Sequence, residues 1–305
     1  MATSDPLAYY AFPGMMTDPG EHSALLMGLP AEIPALAKIV QENLLHIFWA
    51  ERYGQTLDET RKAEVGIRRA STMLGCIKSQ DDRLLTVPRP LEKRLVGNCR
   101  DFTVLLCTLL RHQGIPARAR CGFGAYFMPD HYEDHWVAEY WNAEEQRWVL
   151  VDAQLDEFQV DALGVAFDPC DVPRDQFVVG GAAWQMARSG KADPDSFGIF
   201  DMHGLWFIRG NLIRDVASFN KMELLPWDCW GLMMAEDAES EENLAFLDHV
   251  AELTLAGNEA FAEIRALYED DPRLRVPPTI TSYPAGPEPK TVDIMQDEVF
   301  PEPVG

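Results

Sequence analysis

Three residues have types and neighbours suited to consecutive steps of thiol chemistry. Cys99 sits in Gly97-Asn98-Cys99-Arg100-Asp101, immediately before an apolar series at Phe102, Leu105, Leu106, Leu109 and Leu110. That spacing is helical, so the thiol stands at or near a helix N-terminus, where the dipole and the unpaired N–H groups of the first turn favour thiolate. His135 opens His135-Trp136-Val137-Ala138-Glu139-Tyr140-Trp141, and Asp152 closes Arg147-Trp148-Val149-Leu150-Val151-Asp152, two runs rich in strand-forming residues. A polar connection of hairpin length, Asn142-Ala143-Glu144-Glu145-Gln146, joins them. Adjacent antiparallel strands of this kind set His135 beside Asp152, with the helix end presenting Cys99 across from them. Nucleophile, base and orienting carboxylate then follow in chain order, the logic of an activated thiol.

Each residue also has a plainer reading. A free cysteine is commonly a small buried hydrophobe, and Cys107 and Cys121, mid-helix and on a strand, are read that way. Cys76, Cys170 and Cys229 carry no signal. His131, four residues before His135, competes as base, but its segment reads as a loop that would hold an imidazole poorly. Four-residue histidine spacing converges on a helix and not in this strand and loop setting, so no metal is expected. No glycine-rich phosphate loop is present, and no cofactor is expected. Asp152 could simply end a strand, yet a carboxylate after four apolar or aromatic residues needs a partner.

These blocks together resemble the transglutaminase-like superfamily of cysteine enzymes, relatives of papain-like proteases. The resemblance runs from about residue 97 to residue 152. It includes Gly97-Asn98-Cys99-Arg100-Asp101-Phe102, Leu109-Leu110-Arg111-His112-Gln113-Gly114-Ile115-Pro116-Ala117-Arg118, Gly122-Phe123, Asp134-His135-Trp136-Val137-Ala138-Glu139-Tyr140, and Arg147 through Asp152. It implies an α+β fold, a transglutaminase/papain-like core with the catalytic helix against an antiparallel sheet. It further implies a thioester acyl-enzyme on Cys99, with His135 as acid and base and Asp152 holding the imidazole. Water as acceptor makes the protein an amidase or peptidase, and this outcome is narrowly favoured because water is always present. An amine makes it an amide-forming acyltransferase. A non-catalytic binding module that kept the fold is the third reading. Papain relatives often place a Gln shortly before the nucleophile as oxyanion donor, and residues 88–96 contain none. The Cys99 N–H can supply one donor.

The chain of 305 residues carries a net charge of −23, but residues 61–120 hold thirteen Lys and Arg against five Asp and Glu, a local +8. Arg89, Lys93, Arg94, Arg100, Arg118 and Arg120 lie in this window. Solvated or paired helix faces would explain it, and so would a positive rim steering an anionic acyl donor to Cys99. Arg100, Arg118 and Trp141 are the candidate substrate-binding residues, and a small-molecule, peptide or thioester acyl donor is the expected partner. The strongly negative remainder excludes nucleic acid. No apolar run reaches membrane-spanning length, the N-terminus has no signal-peptide pattern, and six cysteines without a framework fit a cytoplasmic setting. The sequence assigns no oligomeric state.

Around this core, helices are predicted over Ile33, Leu36, Ile39, Val40, Leu44, Ile47 and Phe48, over residues 58–78, 174–189 and 205–220, and as one long acidic helix over 241–268. Three strands are predicted at 117–127, 135–142 and 148–153. The first twenty residues read as an extended arm. Residues 224–231 read as aromatic buried packing or a lid. Eight prolines beyond residue 271 preclude regular structure there. The expected organisation is a catalytic core over 1–165, a mostly helical extension over 166–271, and an extended or disordered tail over 272–305.

Overall fold

The computed structural model describes residues 5–284 and 288–296. It has an α+β fold whose residues group into two compact units. One comprises residues 7–118 and 137–172 and holds Cys99. The other comprises residues 119–136 and 173–296, with the extreme N-terminus, and holds His135.

In chain order the Cys99 unit contains α1 (Pro6–Tyr10), α2 (Ile33–Asn43), β1 (Leu44–His46), α3 (Glu59–Ala63), α4 (Ala70–Gln80), β2 (Leu95–Gly97) and α5 (Cys99–His112). It adds the first two residues of β3 (Ala117–Gly124), the later part of β4 (Tyr132–Asn142), β5 (Arg147–Val151) and α6 (Glu157–Leu163). Helix α5 ends as its sequence demands. Gly114 takes φ +74°, its N–H bonds the Arg111 carbonyl, and the Ile115 N–H reaches back to Leu110, a Schellman closure that needs a residue without a Cβ.

Three expectations differ here. The helix read through Phe48 stops at Asn43. Leu44–His46 instead pairs in parallel with Leu95–Gly97, because a short apolar run suits a buried strand as well as a helix. The helix read over 58–78 starts as expected, Asp58 accepting from the Arg61 N–H at 2.8 Å, but breaks after residue 66. There Glu64 turns inward to accept from the Val96 N–H at 2.6 Å, and the carbonyls of Ile67 and Arg68 accept from Arg100 instead of from a helical ladder. The N-terminal arm is not simply extended. Tyr10 and Met16 are buried, and Tyr10 packs edge-on to Trp148 at 5.7 Å. Residues 1–4 lie outside the described residues.

The His135 unit carries the rest of β3 and β4, then β6 (Phe177–Val179), α7 (Gly180–Arg188), β7 (Phe197–Ile199), β8 (Met202–His203), α8 (Leu205–Phe219), β9 (Asp228–Cys229), α9 (Glu241–Ala256), α10 (Phe261–Asp270), β10 (Thr279–Ser282) and β11 (Lys290–Asp293). The strand order β6-β3-β4-β7-β8, with β5 also on β4, is antiparallel at β3–β6, β4–β5 and β7–β8 but parallel at β4–β7. An antiparallel sheet is the expectation, and β4–β7 departs from it. The helix read from 174 begins at Gly180, since Phe177–Val179 pairs with Gly122–Gly124. A Cβ at Gly122 would lie 2.3 Å from the Val178 carbonyl oxygen, so this pairing requires glycine. The long acidic helix breaks into α9 and α10 at Gly257, which adopts φ +61°. Residues 224–231 supply β9 and the buried Trp230. Thr279–Ser282 pairs with both β9 and β11, because neither stretch contains proline and the flanking prolines only bound the strands. Residues 285–287 and 297–305 of the proline-rich tail lie outside the described residues. Among the described residues no helix is long and apolar enough to cross a membrane.

Candidate active site

Cys99 is the first residue of α5 and is 8% exposed. Asn98 caps the helix. Its Oδ1 accepts from the Arg100 N–H at 2.9 Å, while Asp101 Oδ2 accepts from the Asn98 N–H at 2.9 Å, a reciprocal capping box. The Asp101 Cβ comes within 3.0 Å of where a Cβ on Gly97 would stand, so the residue before the cap must be small. The Asn98 Nδ2 donor is buried and has no hydrogen-bond partner among the described residues. A donor amide therefore waits in the residue adjoining the thiol.

Asp152 follows β5 directly and is buried. Its N–H donates to the Pro169 carbonyl at 2.8 Å, and its Oδ1 accepts from the Gln154 N–H at 3.0 Å. In the β4–β5 register Ala138 faces Val151, the residue directly before Asp152.

Within its own unit His135 is buried in an aromatic collar, with the rings of Phe127, Tyr126 and Phe177 at 4.8, 6.0 and 6.2 Å, all edge-on. Asp134, on the opposite strand face, accepts from Asn211 Nδ2 at 2.7 Å. The same amide nitrogen donates to the Gly122 carbonyl at 3.1 Å. Helix α8 thus ties β3 and β4 together on the face opposite the imidazole. His131 lies 3.1 Å from Glu133 and outside the strand.

Burial holds the Asp134 carboxyl above the usual carboxylate range, with Asn211 and Arg214 pulling the other way. A raised folded-state pKa gives stability that is full below the unfolded value and is lost as pH rises through the folded value. Asp134→Asn retains the acceptor for Asn211 and removes the buried charge. The variant is therefore expected to gain in urea midpoint relative to the parent as pH rises from 4 to 8. Parallel pH curves would mean the charge is not penalised.

The basic window forms no rim through its best-placed arginines. Arg100 is fully buried and bonds Asp101 and two carbonyls. Arg118 donates to Glu139 at 2.6 Å between the rings of Tyr10 and Trp148. Arg120 donates to Asp215 at 2.9 and 2.8 Å, and Arg89 is buried against the carbonyls of Asp81 and Arg83. Every residue of β3 is buried, so its arginines must be paired, and the acidic remainder of the chain supplies the partners. Arg100 and Arg118, expected to bind substrate, are thus both buried and held by partners within the chain. Trp141 stays partly exposed, edge-on to Trp148 at 5.7 Å. Sequence reasoning missed Asn98 as a donor, the aromatic collar, and Asn211 and Asp215. The last two left a signal, polar residues four apart on one face of α8.

No curated protein matches the chain. A crystal structure of a Cytophaga hutchinsonii protein proposed to be a cysteine protease is similar at 17% identity and a TM-score of 0.34, over 57% of this chain and 45% of that one. The chain thus spans less than half of that protein, a likeness too slight to bear on function. The family model described as "Transglutaminase-like superfamily" matches residues 69–153, which contain α4, α5, β3, β4 and β5. This match supports cysteine-based catalysis in general terms and does not separate hydrolysis from acyl transfer. The segment from residue 69 to residue 153 belongs to the transglutaminase-like superfamily.

Proposed function

We propose that the protein is a thiol hydrolase acting on an amide or thioester carbonyl, with Cys99 as nucleophile, His135 as acid and base, and Asp152 as the group that orients the imidazole. The observation that best supports this is the placement of Cys99 as the first residue of a capped fourteen-residue helix, where an anion is favoured. In this reading His135 takes the Sγ proton as sulfur bonds the carbonyl carbon and the carbonyl π pair moves to oxygen. The oxyanion is received by the Cys99 N–H and the Asn98 side-chain amide. Its collapse expels the amine or thiol, which leaves with the proton from His135. Water then gives a proton to His135 and attacks the thioester, and sulfur leaves and recovers that proton.

The test supplies an aryl thioester with and without a primary alkylamine, and follows enzyme and products by intact mass. A transient acyl adduct on Cys99 and free acid as the main product are expected. Amide dominating over free acid would replace the hydrolase with an acyltransferase.

Asn98→Asp keeps the cap but removes the donor. Its kcat is expected to fall about 10²–10³-fold with KM little changed. An unchanged kcat would take Asn98 out of the oxyanion site.

A further inference from the structure

The strand that pairs just ahead of the nucleophile brings a histidine with it. His46 ends β1 and is the register partner of Gly97, two residues before Cys99. Neighbouring strands lie about 4.8 Å apart, and partnered residues present their side chains on one face. On that face a Cβ on Gly97 would stand 3.0 Å from the Asp101 Cβ, so the face looks onto the first turn of α5. The imidazole follows the same direction. It is buried, and its ring lies 6.1 Å from that of Phe102, tilted by 41°. Phe102 stands one turn after Cys99 on the same side of the helix. Gln154, whose N–H bonds Asp152, borders the same small gap as His46 and Phe102. His46 thus adjoins both the turn that carries the thiol and the turn that follows Asp152.

The ring's own backbone sets where its proton sits. Nδ1 accepts from the Phe48 N–H at 3.3 Å, so it carries no proton, and the neutral ring holds its proton on Nε2. Asparagine would serve the Phe48 N–H equally well, and what the imidazole adds is a donor on its far side. A buried N–H requires an acceptor. The oxygens at the head of α5 are already engaged. Asn98 Oδ1 accepts from the Arg100 N–H, Asp101 Oδ2 from the Asn98 N–H, and Asp101 Oδ1 from the Arg100 guanidinium. The Cys99 carbonyl accepts from the Thr103 hydroxyl at 3.0 Å. A carbonyl under attack by Cys99 brings one more oxygen to this turn, and that oxygen gains negative charge as sulfur bonds the carbon. A neutral N–H fixed on a strand suits it, since it stabilises the anion without protonating it and without reorganising.

We propose that His46 is a further catalytic residue, its Nε2–H donating to the oxyanion formed on Cys99 as a third donor beside the Cys99 N–H and the Asn98 amide. The role rests on the acyl-enzyme reading. Sulfur bonds the carbonyl carbon, the π pair moves to oxygen, and the His46 proton stays on nitrogen throughout.

Two substitutions separate the two ring nitrogens. The asparagine amide oxygen takes the place of Nδ1, and the glutamine amide nitrogen takes the place of Nε2. In the full-length protein His46→Asn therefore keeps the Phe48 turn and loses the far donor, whereas His46→Gln does the reverse. With an aryl thioester, kcat of His46→Asn is expected to fall about 10²–10³-fold with KM little changed, and His46→Gln to stay within about tenfold of the parent. Alkylation of Cys99 by iodoacetamide forms no oxyanion, so its rate is expected to be unchanged in both variants. A merely structural ring gives the opposite order, His46→Asn active and His46→Gln impaired, and that order overturns the proposal. Parent-like turnover in both variants overturns it too, as does a His46→Gln loss as deep as that of His46→Asn. Alkylation falling in step with turnover would place His46 on the thiol or in the fold, and equally ends the oxyanion role. A parent protein that forms no acyl adduct on Cys99 faults the acyl-enzyme reading, and His46 falls with it. An adduct on the parent with an unimpaired His46→Asn faults His46 alone.

Discussion

Replacing Cys99 by alanine is expected to abolish the acyl adduct and lower turnover of an activated thioester by about 10⁴-fold or more, with the far-ultraviolet spectrum unchanged. A nucleophile has no substitute among its neighbours, and single losses within a unit of nucleophile and base cost nearly as much as losing all of it. The cap that starts α5 is made by Asn98 and Asp101, so removing one sulfur atom leaves the helix intact. Iodoacetamide at near-neutral pH gives a second readout. Cys99 is expected to label faster than a model thiol. Cys170 serves as an internal control, because burial, with Asp168 and Asp152 adding to it, pushes its thiol up to about 11. Cys107 and Cys121 are fully buried. If Cys99 labels no faster than a free thiol and the alanine variant keeps its turnover, the protein is a binding module on an enzyme's fold.

Asp215→Ala should produce the largest loss of stability, about 3–5 kcal/mol by urea unfolding. Asp215 is fully buried and accepts from Arg120 twice and from the Cys121 N–H at 3.0 Å. Without it a guanidinium stays buried over the Phe219 ring, stripped of this carboxylate, and a strand N–H loses its acceptor. Replacing the pair by Met at 120 and Leu at 215 should recover most of the loss, since hydrophobic residues of similar size often replace buried ion pairs at little cost. A single-variant loss under 1 kcal/mol would mean that water reaches the arginine.

The Cys99 helix was legible in the sequence because its signals are local: an Asn cap, a five-residue apolar stripe and a Gly114 stop all lie within seventeen residues. The three strands were legible for the same reason. Arg118 and Arg120 were not, because charge on a strand reads as surface until the partners are known, and Glu139 and Asp215 lie 21 and 95 residues away. Leu44–His46 was misread as helix because its preference is set by β2, a partner the local pattern cannot contain.

The pairing of β1 with β2 bears on which piece of the chain can stand alone. Leu44 meets Leu95 and the Ile47 N–H reaches the Gly97 carbonyl at 2.9 Å, closing about fifty residues of chain immediately before the nucleophile. A fragment cut at residue 69 to match the family core would omit β1, unpair β2 and strip the peptide leading into Cys99 of its acceptor and donor partners. During synthesis β1 waits for β2 to emerge, and loop closure of that length must be met before the thiol is anchored. The N-terminal end of α5 is therefore a late product of non-local assembly, and its autonomy as a domain begins well upstream of its recognisable motif.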